Sequence, residues 1–260
     1  RPPRSTLSPS SAASDVYKRQ VAADAGVYFE WSTNEKVAAE VASAAAWSGL
    51  RSMTMMKHVG FNVASDAIFT LAYAGVKAGM LIVTADDPSA HSSQNEQDNR
   101  YYAPATCLPM LEPSNPQEAK DMARMAFELS EKYRIPFILR TTTRLSHSRG
   151  PVETGPLRPG RPAGEGHFKP DRWDDYLQVG AWARKHHKRL LETISRIEEE
   201  LKSDGRLNRV EGEGETGIVT SGVSYNYVYE ALRMLDVEAR VLKLGLTYPV
   251  SLEMLGEFLE

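Results

Sequence analysis

Between residues 21 and 144 two kinds of apolar pattern take turns along the chain. Apolar residues spaced three or four apart predict helices, and short continuous apolar runs predict buried strands. Ser32 to Gly49 is Ala-rich with apolar positions at Val37, Val41 and Ala45, and Gly49 marks a helix stop. Arg51 to Met56 is a short apolar run, Asp66 to Lys77 has helical spacing, and Gly79 to Asp86 (GMLIVTAD) reads as a buried strand. Pro88 to Tyr101 is polar and loop-like. Ser114 to Tyr133 reads as a long helix that Ser114 can cap, with Ala119, Met122, Ala123, Ala126, Phe127 and Leu129 on its buried side. Pro136 to Thr142 (PFILRTT) is another strand. This alternation predicts βα units and an α/β fold with a doubly wound parallel sheet.

Residues 145–170 interrupt the pattern, holding five of the fifteen prolines and five of the eighteen glycines, as a surface excursion does. Gln178 to Lys202 then predicts a long charged helix with KHHKR in its middle. After the acidic, Gly-rich EGEGETG comes a second strand–helix–strand–helix set: GIVTS, Ser224 to Leu235, Ala239 to Leu246 and Ser251 to Glu260. No repeat of 20–50 residues is visible. The expected organisation is an extension over 1–20, a first domain over 21–150, the excursion and linker helix over 151–214, and the start of a second α/β domain over 215–260. The first twenty residues are basic and Ser-rich and read as a disordered or non-native extension, and SLEMLGEFLE stops inside a predicted helix. The chain therefore reads as part of something longer.

Composition narrows the function classes. Hydrophobic residues make up 42% and charged residues 25% of the 260, as in a water-soluble domain. No window approaches the ~18 consecutive apolar residues of a membrane span. The formal charge of −3 argues against a general nucleic-acid binder. A single cysteine, Cys107, excludes an internal disulfide framework or a cluster held by this chain's thiolates alone. Flanked by apolar residues, Cys107 reads as a core residue.

The candidate chemistry sits at predicted strand ends, where open α/β sheets bind ligands. Ser32 and Glu35 have the spacing of a capping box, which would place Glu35 in the first turn as a backbone partner. The alternative is a carboxylate aimed at a cofactor nitrogen. Lys57, His58, Val59 and Gly60 follow a strand: a solvated turn, or a basic pair facing an anion beside a glycine that admits close approach. Asp86, Asp87 and His91 could ligate a metal, but Asp-Pro is also a common turn opener. The SSQNEQDNRYY loop, with Gln94 and Asp98, is long and polar, as functional loops are. Arg140, Arg144, His147 and Arg149 gather near PFILRTT, either as an exposed basic loop or as a carboxylate clamp. His186 and His187 are expected to be solvated. No Walker loop, GxGxxG, GxSxG or HExxH is present.

Several runs together resemble one family. They are FEWSTNEKVAAEVA, MKHVGFNVASD, VTADDPSAHSSQNEQDNRYYA, EPSNPQEAKDMARMAFELSEKYRIPFILRTTTRLSHSRG, SGVSYNYVYEAL and VLKLGLTYPVS. They resemble the alpha subunits of indolepyruvate:ferredoxin oxidoreductases, thiamine diphosphate enzymes of the 2-oxoacid:ferredoxin oxidoreductase superfamily, over about residues 21–260. The resemblance implies that residues 21–150 are the pyrimidine-binding domain and that 215–260 begin a transketolase-C-terminal-like domain. It implies oxidative decarboxylation of indolepyruvate and other arylpyruvates to acyl-CoA, with ferredoxin as electron acceptor. It also implies a beta subunit as partner, a hetero-oligomeric assembly and a cytoplasmic location.

By that resemblance Glu35, in NEKVA, matches the catalytic glutamate that pairs with the cofactor's aminopyrimidine ring. Lys57, His58, Val59 and Gly60 match the cofactor-side loop. Gln94, Asp98, Arg144 and His147 are carried over toward substrate or the domain interface. Mg²⁺ and [4Fe-4S] clusters are expected only outside this sequence, whose own residues carry no metal site. The family's Tyr-Pro-Gly-Thr-Pro turn is not found, nor are its Gly-Asp-Gly diphosphate segment and Cys-rich tail. The chain alone is therefore expected to be catalytically incompetent. The rival expectations are a related enzyme for another 2-oxoacid, a non-catalytic docking subunit of the same fold and, more remotely, a metal hydrolase built on Asp86, Asp87 and His91.

Overall fold

The structure, a computed structural model, describes residues 20–22, 24–156, 162–169 and 173–260. The extension expected over 1–20 lies outside the described residues apart from Gln20, as does part of the Pro/Gly-rich excursion.

Helix α1 (Glu35–Trp47) is capped by Asn34: Val37 N–H donates to Asn34 Oδ1 at 2.9 Å. The Ser32-based capping box is therefore corrected. Asn is as good an N-cap as Ser, and with Asn34 in that role Glu35 becomes the first helical residue, two positions earlier than a box would need. Small residues Ala39, Ala42 and Ala46 face inward, so the helix lies close on its neighbours.

Strand β1 (Ser52–Lys57) runs directly into helix α2 (His58–Ala74). Lys57 to Gly60 thus form a strand end and the first helical turn. The solvated turn among the readings of this segment is overturned, because His58 and Gly60 are both buried. Strand β2 (Met80–Asp86) follows, then a short 3₁₀ turn over Asn99–Tyr101, helix α3 (Tyr102–Thr106) and the two-residue strand β3 (Met110–Leu111). Helix α4 (Pro116–Tyr133) is capped by Asn115, which accepts from Glu118 N–H at 2.9 Å. Ser114, expected as the cap, instead donates through its N–H and hydroxyl to Glu118 Oε2, both at 2.8 Å. Strand β4 (Phe137–Thr142) and the short helix α5 (Thr143–His147) complete the first half.

The excursion leads to helix α6 (Gly180–Leu201), whose buried stripe is His186, Leu190, Ile194, Ile197 and Leu201. His187 is exposed but His186 is not, correcting the expectation for the latter. Position 186 falls on the apolar stripe, one helical repeat before Leu190. Next come β5 (Asn208–Glu211), β6 (Gly217–Ser221), α7 (Ser224–Leu235), β7 (Arg240–Leu244), β8 (Leu246–Tyr248) and α8 (Leu252–Leu259).

The strands form two sheets, one ordered β1-β2-β4-β3-β8 and one ordered β5-β7-β6. In the first, β1, β2, β4 and β3 are parallel, as the alternating pattern predicts. Strands β2 and β4 are covered on both faces, which explains their unbroken apolar runs. On edge strand β1, Thr54 and Met56 are buried while Met53 and Met55 are exposed. Helices α1 and α2 pack on β1 and β2, and α4 packs on β2 and β4.

Strand β8 is antiparallel to β3. The chain leaves β7 in the second sheet and enters the first through Gly245, whose N–H donates to the Leu207 carbonyl at 2.7 Å. An added Cβ there would collide with that same carbonyl, so glycine is what lets one stretch serve two sheets. Charged groups fasten the second sheet further. Buried Lys243 of β7 pairs with Glu118 of α4, and Arg209 of β5 reaches the same carboxylate oxygen at 3.2 Å. Burial pushes the Lys243 ammonium below its ordinary range, against the pull of Glu118.

Candidate functional site

All four parallel strands of the first sheet end on one edge, at Lys57, Asp86, Leu111 and Thr142. A buried polar atom without a partner is uncommon and calls for an explanation. Six such side-chain atoms occur among the described residues: Thr54 Oγ1, His58 Nδ1, Asn99 Oδ1, Glu112 Oε1, Thr142 Oγ1 and His186 Nε2. All but the last lie on these strands or in the segments that leave their carboxyl ends. The sheet's carboxyl edge is thus short of polar partners.

Glu35 comes to this edge from the start of α1. Its side chain lies against Gly60: a Cβ built on Gly60 would sit 2.5 Å from Glu35 Cγ and 2.9 Å from Cδ and Oε1. Gly60 is helical, so the need for glycine is one of space rather than backbone angle. The Glu35 side chain is half-buried, and its carboxylate makes no hydrogen bond or ion pair with the described residues. The sequence places Glu35 and Gly60 in two separate motifs, and the fold brings them into contact.

His58 is fully buried. Its Nε2 lies 3.1 Å from the Asn95 carbonyl, which can only accept, so Nε2 donates. In the neutral ring Nδ1 is then a bare acceptor. Lys57 is half-buried and reaches the Ser92 carbonyl at 3.5 Å. Val59 is also half-buried. The polar loop of residues 88–98 therefore folds over the β1–α2 junction.

Within that loop Gln94 is exposed and Asp98 half-buried. Burial works against the Asp98 charge, but hydrogen bonds from Arg100 hold its carboxyl below the usual range. Arg100 grips it through Nε and Nη2 at 2.6–3.0 Å. Asp87 is held further below that range, by the Ser92 N–H first and then the Ser93 and Thr143 hydroxyls. Asp86 accepts from Arg140, Asn99 and Thr84. Both carboxylates proposed for a metal are thus engaged by protein donors, and His91 is exposed. Among the described residues no three His, Cys, Asp or Glu side chains are placed to hold a metal ion.

Arg140 belongs inside β4, not in an exposed basic loop. It is 6% exposed and sits between Asp86 and Glu112. Arg144 and His147, on α5, are exposed, and Arg144 lies over the Tyr227 ring at 5.8 Å, toward the second sheet's helix. They stand apart from the Glu35–Gly60 contact. Cys107 is half-buried against the core in a left-handed conformation, rather than fully inside it. The sequence reading does not single out Glu112 or Asn99: Asn99 lies inside the polar SSQNEQDNRYY loop and Glu112 opens EPSNPQ, but no motif marks either side chain. The one available signal was an acid closing the apolar run LPMLE.

The fold is thus an open, mostly parallel α/β sheet whose carboxyl edge, where such domains bind ligands, carries a free carboxylate resting on a glycine. The chain belongs to the thiamine-diphosphate-binding family of the pyruvate flavodoxin/ferredoxin oxidoreductases, whose profile matches residues 7–179. Among curated relatives, "indolepyruvate oxidoreductase subunit IorA" of Methanothermobacter thermautotrophicus is 52% identical over 255 residues, covering 96% of this chain and 40% of its own length. The protein of the same name from Thermococcus kodakarensis is 51% identical over 258 residues, covering 97% and 39%. The chain thus spans about 40% of the length of these relatives. A 2-oxoglutarate:ferredoxin oxidoreductase from Magnetococcus marinus, solved with 2-oxoglutarate, coenzyme A and succinyl-CoA, superposes over 97% of this chain and 51% of its own. Its TM-score is 0.69 at 15% identity, so it speaks for the fold alone. Among the described residues no helix is long and apolar enough to cross a membrane.

Proposed function

We propose that this chain forms the pyrimidine-side half of a thiamine diphosphate cleft in a 2-oxoacid:ferredoxin oxidoreductase acting on indolepyruvate and related arylpyruvates. The observation that carries the reading is the Glu35 carboxylate, unpartnered and resting on Gly60 at the partner-poor carboxyl edge. The donor set fits the cofactor's ring: a carboxylate with free oxygens, a glycine that leaves room, and buried acceptors at His58 Nδ1 and Asn99 Oδ1. An aminopyrimidine presents amino N–H donors to such acceptors, and its ring nitrogen would pair with the carboxylate through a shared proton.

When bound, thiamine diphosphate supplies the carbanion stabilisation that decarboxylation of a 2-oxoacid requires. Glu35 holds the aminopyrimidine ring through one hydrogen bond and controls the proton at that contact. Gly60 keeps the approach open. Lys57 and the loop over it close the edge against water, and Gln94 and Asp98 belong to that cover. Arg144, which reaches Tyr227, serves the domain interface, and exposed His147 beside it belongs to the same surface. Residues 21–150 form the pyrimidine-binding domain, 151–214 a linker, and 215–260 the beginning of a transketolase-C-terminal-like domain. The complete enzyme passes electrons to ferredoxin and the acyl group to coenzyme A, in a cytoplasmic complex with a beta subunit. Mg²⁺ and [4Fe-4S] clusters belong to other parts of that assembly. The 260 residues alone do not turn over.

The test is Glu35→Gln in the complete oxidoreductase with its partner subunit. Viologen reduction dependent on indolepyruvate, coenzyme A and thiamine diphosphate is followed. A positioned acid or base is worth ~10²–10⁴-fold, so the rate should fall by at least about a hundredfold. Equal rates in both proteins remove Glu35 from the mechanism.

A further inference from the structure

We propose that Arg140 is the positioning residue of this site, setting the placement of the 98–100 segment and of the second sheet from a single buried guanidinium. The inference rests on reading the carboxyl edge as the site. Register puts the three strands in line: Thr84 of β2 pairs with Arg140 of β4, and Leu111 of β3 pairs with Leu139. Asp86 and Glu112 therefore leave their strands on either side of Arg140.

The side chains of Arg140, Asp86 and Glu112 are 6%, 1% and 5% exposed. Arg140 Nε donates to Asp86 Oδ2 at 2.7 Å, and Nη1 donates to Glu112 Oε2 at 2.7 Å. Its Nη2 stands 3.6 Å from Asp98 Oδ1. Two carboxylates this deeply buried are costly without a cation between them, and the planar fork of arginine sets Nε against one and Nη1 against the other.

One arm bonds a backbone group through its carboxylate, and the other ends on a residue whose own main chain is tied to the second sheet. Asp86 Oδ2 also accepts the Asn99 N–H at 3.0 Å. The Asn99 side chain then donates through Nδ2 to Thr84 Oγ1 at 2.6 Å and approaches the His58 carbonyl at 3.5 Å, two residues before Gly60. On the other arm, the Glu112 N–H donates to the Gly245 carbonyl at 2.8 Å, where the chain crosses between sheets. Glu112 Oε2 also abuts Gly222, whose Cβ would stand 3.1 Å away. One guanidinium thus joins the polar loop, two strand ends and the second sheet. Arg140 need touch neither cofactor nor substrate to do this.

The test is amide hydrogen exchange on the 260-residue chain, comparing wild type with Arg140→Lys. Lysine keeps the charge but not the fork: its ammonium ends at one point and cannot take the places of both Nε and Nη1. Exchange at Asn99, Glu112 or both should accelerate at least tenfold, with Leu81 and Val83 inside β2 unchanged. Wild-type protection at both amides overturns the proposal, and so does equal acceleration throughout β2, which would mark a general loss of stability. Should the lysine variant not fold, Glu112→Leu, which offers Nη1 no acceptor, removes one arm only. It should free the residue 112 amide and leave Asn99 protected, and protection at both would again overturn the proposal. A second readout titrates thiamine diphosphate into the complete oxidoreductase by intrinsic fluorescence. Arg140→Lys should weaken binding at least tenfold, and equal binding counts against the proposal. Absence of binding by wild type defeats the thiamine reading instead, and the exchange result, which needs no cofactor, then decides the role of Arg140.

Discussion

Gly60→Ala separates the site from the fold. The added methyl would stand 2.5 Å from Glu35 Cγ and 2.9 Å from Cδ and Oε1. Ordinary carbon contacts lie near ~3.5–4.0 Å, so the Glu35 side chain must move by roughly 1 Å or more. The obstacle is a half-exposed side chain and not backbone, so it can yield by twisting about 30° off its rotamer at a cost of about 0.5–1.5 kcal/mol. Against that, Gly60 lies inside α2, where alanine is the better helix former by up to about 1 kcal/mol. The two effects offset each other, and thermal melting of the 260-residue chain should shift by only a few degrees. Activity should not survive as well. A misplacement of about 1 Å at a reacting group costs ~10²-fold, equivalent to about 2.7 kcal/mol of transition-state stabilisation. The complete oxidoreductase carrying Gly60→Ala should therefore lose about a hundredfold in viologen reduction while melting almost normally. Wild-type activity in this variant would refute the reasoning, since Glu35 would then not act from where the structure holds it. A large fall in melting temperature would refute the stability half.

The corrected helix start gives a second expectation: Asn34→Ala should cost about 1 kcal/mol in urea denaturation, whereas Ser32→Ala should be close to neutral. The reverse ranking would restore the capping box. A third concerns His186, where burial pushes the imidazole below its ordinary value and Arg189 and Lys185 add to the effect against Asp175 and Asp174. A histidine whose folded value is depressed contributes stability above its unfolded value of about 6.5, and that contribution is lost as pH falls toward the folded value. Stability should therefore decline below about pH 6.5 in wild type and less steeply in His186→Gln. Identical slopes in the two proteins would assign the decline to other groups.

Much of the first sheet was legible because its signals are local. GMLIVTAD and PFILRTT each hold a continuous apolar run, MLIV and FIL, and such runs form strands that are covered on both faces. The boundaries of α4 and α6 were nearly right for the same reason, since helical periodicity is carried by neighbouring turns. The short strands β3, β5 and β8 were not visible. Two to four residues carry no period, and they are strands only because a neighbour supplies the ladder. The start of α2 was misplaced because Gly60 reads locally as a turn residue, whereas the fold uses its missing side chain to seat Glu35.

The same division runs through the site. By itself the sequence determined the parallel α/β class, the family resemblance, and Glu35 with the Lys57–Gly60 segment as the residues to watch. These are matters of residue type and short spacing. Only the tertiary structure decided that Glu35 lies on Gly60, that His58 and His186 are buried, and that Arg140 binds Asp86 and Glu112. Those contacts join residues 25 to 54 positions apart or depend on which face a side chain takes. Register between strands sets them, and register is a property of the assembled sheet rather than of any one segment.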